Sequence, residues 1–135
     1  MDRELYFVPE HTCYIVRWIA DITGDALLEH WRDLVERPEF DPCLVALHDF
    51  RGIEVRRGKT ATIVVGEIYR RDVEPRVGFG RAAIIVDDAA KFERANHLIS
   101  MLELDGTLVS YSEQEAKTWV GLPGDFALPY SGAAG

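Results

Sequence analysis

The residues whose types and order come nearest to a known chemistry are Gly52-Ile53-Glu54-Val55-Arg56-Arg57-Gly58-Lys59-Thr60. They follow an apolar run and end in Gly-Lys-Thr, as a phosphate-cradling loop does. Such a loop spaces its glycines by four residues, whereas five stand between Gly52 and Gly58. Ile53, Glu54 and Val55 also place bulk and a negative charge where backbone N–H groups would wrap a phosphate. Ile84-Ile85-Val86-Asp87-Asp88 mimics the apolar strand and acid that hold magnesium in nucleotide hydrolases. Strands of α/β domains commonly end in Asp without that role, so nucleotide hydrolysis is the weaker expectation. Plain anion binding at the following helix start, by unpaired N–H groups with Lys59 and Thr60, is the stronger one.

A second constellation is Asp49 and Arg51, at the end of the apolar run Cys43 to Leu47. Asp21, Asp87 and Tyr111 are expected on the same edge of a sheet. Groups just past the carboxyl ends of parallel strands are where α/β domains meet their ligands. The alternative is that Asp49 and Arg51 pair with each other or cap nearby helices, and both readings stand. His11, His30, His48 and His97 share no metal-like spacing. His48 is expected half buried at a strand end. Ser112 reads as a helix cap rather than a nucleophile, and no Ser-His-Asp order is visible. No cofactor, metal or catalytic residue is implied. The candidate partner- or anion-binding set is Asp21, Asp49, Arg51, Arg56, Arg57, Lys59, Thr60 and Asp87.

Bulk properties bound the answer. The 135 residues are the size of one domain with a real core. A net charge of −8 argues against general nucleic-acid binding. The charge is uneven: Arg51 to Arg81 carries eight bases against four acids, between two acidic thirds. That is either a solvated face with local pairing or a patch for an anionic ligand or acidic partner. No apolar stretch approaches a bilayer span, and the start, Met1-Asp2-Arg3-Glu4, is not a leader pattern. A cytoplasmic location is the expectation. Cys13 and Cys43 read as buried free thiols in strand-like contexts.

These residues must be positioned by elements that the pattern also predicts. Glu4 to Val8 and Cys13 to Ile19 are β-rich runs around Pro9-Glu10-His11, a hairpin. Thr23 caps a helix over Asp25 to Glu36, with Leu27, Leu28, Trp31, Leu34 and Val35 on one face. Pro38 and Pro42 end it and set the strand Cys43 to Leu47. Arg57 to Asp72 has strand propensity in Thr60, Thr62, Ile63, Val64 and Val65. Ala61, Val64, Val65 and Ile68 nevertheless keep a helical period, and a parallel neighbour needs a crossover, so a helix is predicted. Gly78 and Gly80 bracket the turn into the buried strand Arg81 to Val86. A helix from about Asp88 turns Phe92, Ala95, Ile99 and Leu102 inward. Thr107 to Tyr111 is the next strand, and Ser112 to Glu115 is a capping box for a last helix with Ala116, Trp119 and Val120. The order is β-β-α-β-α-β-α-β-α: an α/β fold with a mainly parallel five-stranded sheet and an antiparallel N-terminal edge strand. Residues 1–122 form the domain and 123–135 a tail, frayed or docked as an arm.

Four features carry a resemblance: Ile22-Thr23 leading into a helix, Pro38-x-Phe40-Asp41 before the strand ending Asp49-Phe50-Arg51, Phe79-Gly80 before an Ala/Ile/Val strand, and Glu115-Ala116-x-x-Trp119. By these, from Glu4 to Val120, the chain resembles the SpoIIAA-like, or STAS-type, small bacterial α/β domains, and among them a stand-alone branch grouped as STAS/SEC14-like. It implies a non-catalytic regulatory or protein-interaction module, akin to anti-sigma-factor antagonists, with a protein partner. Regulated members carry a phosphorylated Ser after the second core strand. This chain has no Ser before Ser100, and Thr60 is the nearest hydroxyl to that place. The SEC14-like comparison supplies the alternative, a carrier of a small apolar ligand or lipid in a groove among the aromatic residues. A homodimer through the hairpin edge strand or the Phe126-to-Tyr130 tail is a further expected arrangement.

Overall fold

A computed structural model describes residues 2–77 and 81–130. Strands β1 (Arg3–Val8) and β2 (Cys13–Trp18) form the antiparallel hairpin, joined by a 3-10 turn over Pro9–His11 and by Thr12 in the left-handed region at φ 52°. Helix α1 (Gly24–Val35) leads to β3 (Val45–Asp49). Helix α2 (Thr62–Ile68) runs through a π turn, Tyr69–Val73, into α3 (Glu74–Val77). Then come β4 (Ala82–Ile85), α4 (Ala89–Leu102), β5 (Thr107–Ser110) and α5 (Glu113–Val120). The sheet order is β1-β2-β3-β4-β5, with β2 to β5 parallel. This is the predicted α/β fold.

The sheet order decides the layers. Each parallel crossover moves one strand in the same direction, so one hand of crossover places every crossing helix on one face. Leu27, Leu28 and Leu34 of α1, Val65 of α2, and Ala95 and Leu102 of α4 pack there against Tyr14, Val16, Ala46 and Ile84. The opposite face, with Cys13, Ile15, Leu47, Ala83 and Ile85, is covered by α5 and the following residues through Ala116, Val120, Leu122 and Leu128. Strand alternation feeds both cores: Tyr14, Val16 and Trp18 point to the first and Cys13 and Ile15 to the second.

Local signals explain the helix starts. Thr23, Asp88 and Ser112 each accept a hydrogen bond from the backbone N–H three residues on, at Ala26, Lys91 and Glu115. The Arg57–Asp72 segment is helical from Thr62, because β3 and β4 are parallel neighbours and strand propensity yields to that connection. Its inward face is rotated from the predicted one. Val65, Gly66, Tyr69 and Val73 are buried, while Ile63 and Val64 are exposed at 59% and 40%. The strand predicted from Cys43 begins at Val45, because Asp41 Oδ1 accepts from Cys43 N at 2.8 Å and holds the preceding residues in a turn. Cys43 is therefore exposed, not buried, whereas Cys13 is a buried free thiol. The predicted Gly78/Gly80 turn, with Phe79, lies outside the described residues. The described part of the tail is docked: Leu128 is buried, and Tyr130 reaches β3. Among the described residues no helix is long and apolar enough to cross a membrane.

Candidate functional site

At the carboxyl edge of the sheet, the predicted residues form a clamp on one loop. Asp49, at the end of β3 and 4% exposed, receives Arg51 N at 3.0 Å and the Arg51 guanidinium at 3.0 and 2.9 Å. Arg51 also donates to Glu113 at 3.1 Å, and Tyr130 Oη–H donates to Asp49 at 2.8 Å. Its hydrogen bonds to Asp49 hold the guanidinium more firmly protonated than usual. Asp87, past β4, accepts from Gly52 N at 3.0 Å and from the buried Lys91 ammonium at 2.6 Å. Asp21, past β2, accepts from Glu54 N and from Arg56. Asp25 accepts from Thr60 N at 3.1 Å. The Asp21, Asp25 and Asp87 carboxyls all sit below their usual range, held down chiefly by Glu54 N–H, Thr60 and Lys91 respectively.

The amides of Arg51, Gly52, Glu54 and Thr60 thus go to carboxylates, and Arg56 N goes to Ile22 O at 2.7 Å. A phosphate meets few free amides in this loop. Gly52 takes φ +84°, which serves the turn rather than a ligand. The structure joins Asp49 with Arg51, Asp21 with Arg56, and Asp87 with the loop backbone. Arg57 and Lys59 are exposed, and among the described residues they have no ion-pair partner. Tyr111 is 55% exposed and stacks on Phe92 at 5.1 Å. Sequence reasoning missed Asp25, Lys91, Glu113 and Tyr130. Only the Ser112 capping box hinted at Glu113.

The other feature is a cavity of about 140 Å³ between the sheet and α1, the π turn with α3, and α4. Its walls include Tyr14, Trp31, Phe40, Phe50, Ile84 and Ile99, with His48 and Tyr69. The exposed residues among its lining are Arg81, Glu103 and Asp105, so its mouth lies at the amino ends of β4 and β5. That is the opposite edge from Asp49 and Asp87, and none of the predicted site residues lines it.

His48 sits inside β3 and is 6% exposed, deeper than expected. Trp18 Nε1–H donates to His48 Nδ1 at 3.0 Å, and Arg3 Nε–H donates to His30 Nδ1 at 3.0 Å. Each imidazole is thereby a neutral ring carrying its proton on Nε2. Burial depresses both pKa values, that of His48 to about 4. Burial likewise raises Tyr14, and raises Tyr69 to about 12, so both stay protonated phenols. The signal for this cluster was the alternation Tyr14-x-Val16-x-Trp18 beside Ala46-x-His48-x-Phe50 on neighbouring strands. Among the described residues no group of three His, Cys, Asp or Glu side chains gathers as for a metal. Compared with known proteins, the chain matches no family model, no curated protein and no solved structure.

Proposed function

We propose that this protein is a non-catalytic binding module whose ligand is a small, largely apolar molecule held between the sheet and α1, α3 and α4. The observation that carries this is the cavity of about 140 Å³, walled mainly by aromatic and aliphatic side chains. Interiors are close-packed, and voids larger than a water molecule are few. A concave apolar chamber with a few polar groups is the usual form of a small-molecule site. A cavity of roughly this size accepts a benzene-sized molecule. Native mass spectrometry of gently purified protein, with thermal shifts against millimolar one-ring aromatic compounds, tests it. Stabilisation by one-ring compounds, or a co-purified small molecule, is expected. No bound mass and no shift from any of them would overturn the reading.

The protein-interaction module implied by the STAS-type resemblance is the second reading. The hydrogen-bonded loop favours it, since Arg57 and Lys59 are exposed there, a few residues before the exposed Ile63 and Val64. Two exposed cations without ion-pair partners suit an acidic partner. Pull-down with wild type and with an Arg57→Glu/Lys59→Glu variant tests it: a bound protein retained by both removes this surface from consideration.

A further inference from the structure

We infer that the cavity is specific for a neutral ligand bearing one carbonyl-type oxygen, which Tyr14, His48 and Tyr69 receive by hydrogen bonds inside a mainly apolar chamber. This rests on the ligand-binding reading above and adds the chemistry of the ligand's polar end. Tyr14, His48 and Tyr69 are each more than nine-tenths buried, at 6%, 6% and 7% exposure, and all line the cavity. Among the described residues the two phenol hydroxyls and His48 Nε2 have no hydrogen-bond partner. Nor are they sealed against protein: among the described residues the sealed side-chain atoms without a hydrogen bond are His30 Nε2 and Arg70 Nη1, the latter ion-paired with Glu103 at 3.4 Å. All three groups therefore retain access to free volume, and the free volume they line is the cavity.

Buried polar groups almost always find partners, and a buried Tyr hydroxyl in particular does so. Three unmet groups lining one chamber, two from the sheet and one from the π turn, call for a polar atom on whatever fills it. Their chemistry specifies that atom. His48 Nδ1 is already an acceptor for Trp18, so Nε2 offers only a donor. Tyr14 and His48 project from the same face of adjacent strands with ring centroids 6.5 Å apart, and Tyr69 lines the same cavity from the π turn. The phenol hydroxyls can donate as well as accept, so an oxygen acceptor suits all three groups. A carboxylate is disfavoured, because the lining adds Glu74, Glu103 and Asp105 against Arg81 alone. The head is thus a neutral acceptor, and the remaining wall, with Phe40, Val77, Leu98 and Ile99, takes a hydrocarbon body.

Acetophenone and its hydrocarbon isostere α-methylstyrene separate the two levels of the proposal. In a purely apolar cavity the hydrocarbon binds tighter, because the ketone loses its hydrogen bonds to water. Here the ketone is expected to bind wild type at least as tightly as the hydrocarbon. Tyr14→Phe and Tyr69→Phe, which preserve shape, are expected to weaken acetophenone about tenfold together while leaving α-methylstyrene unchanged. A readout without substitution is the His48 Nε2 proton and nitrogen resonance, expected to move with acetophenone and not with α-methylstyrene. Tighter hydrocarbon binding in wild type, or ketone affinity indifferent to both Phe variants, overturns the polar-head assignment and leaves the binding module standing. Failure of both probes to bind overturns both.

Discussion

Tyr130 donates its hydroxyl hydrogen to Asp49 Oδ2 at 2.8 Å, tying the chain 81 residues downstream back onto the end of β3. Its ring lies 5.7 Å from Tyr6, and the Arg17 guanidinium sits 4.9 Å from the ring centroid. Burial, with the Asp49 carboxylate beside it, raises the Tyr130 hydroxyl pKa, so the bond persists at alkaline pH. Tyr130→Phe is expected to cost about 1–2 kcal/mol in urea denaturation, since Asp49 keeps Arg51 but loses one donor. Deleting residues 124–135 is expected to cost more, because it also uncovers Leu128, which is 1% exposed. A deletion no worse than Tyr130→Phe would show that the arm adds nothing beyond its one hydrogen bond.

Lys91 is a buried ammonium whose nearest partner is Asp87, 2.6 Å away. Removing the acid leaves a buried charge with only Asp88 Oδ2 at 3.9 Å, and frees Gly52 N from its acceptor. Asp87→Ala is therefore expected to cost about 2–4 kcal/mol, and Lys91→Met in the same background to recover much of it. A double-mutant cycle by chemical denaturation reads the coupling. Additive losses would mean that the pair is energetically inert.

The buried histidines make stability fall with acid. His48 titrates near 4 when folded and near 6.5 when unfolded. Above the unfolded value neither state takes the proton. Between the two values the unfolded chain binds it and the folded state does not, so stability drops as the pH falls, by up to about 1.4 kcal/mol per unit for each histidine. The loss for His48 levels off at about 3 kcal/mol below its folded pKa. His30 is depressed in the same direction. Asp21, Asp25 and Asp87 have lowered values and contribute only at lower pH, as the acid approaches their usual 3.8. Denaturation at about pH 7 and about pH 5 isolates the imidazoles. His48→Gln, which keeps an acceptor for Trp18, is expected to flatten that difference, and an unchanged slope would assign it elsewhere.

Ala46 lines the cavity from β3. Ala46→Val adds β-branched bulk to a strand position facing open volume. It is expected to hold or raise stability by about 1 kcal/mol while weakening every one-ring probe. A loss above about 1 kcal/mol would show that the chamber is smaller than its geometry states.

The predicted edge residues and the cavity were unequally legible. Asp21, Asp49, Arg51 and Asp87 were placed on one edge because strand order and strand ends follow from local pattern. Their role as acceptors for the loop amides was not visible, since Asp21 meets Glu54 across 33 residues and Asp87 meets Gly52 across 35. Cys43 was misread because an Asx turn at Asp41 outweighs the apolar run that follows it. The π turn at Tyr69–Val73 leaves no trace in Tyr-Arg-Arg-Asp-Val.

Element types, their order and the parallel sheet followed from the chain alone. Periodicity, caps and crossover length act over a few residues or through simple connectivity. Only the tertiary structure decided that Tyr14, His48 and Tyr69 face a shared void while the edge carboxylates are spent on their own loop. Close packing is a property of volumes meeting from distant segments, and an unfilled volume has no residue to announce it.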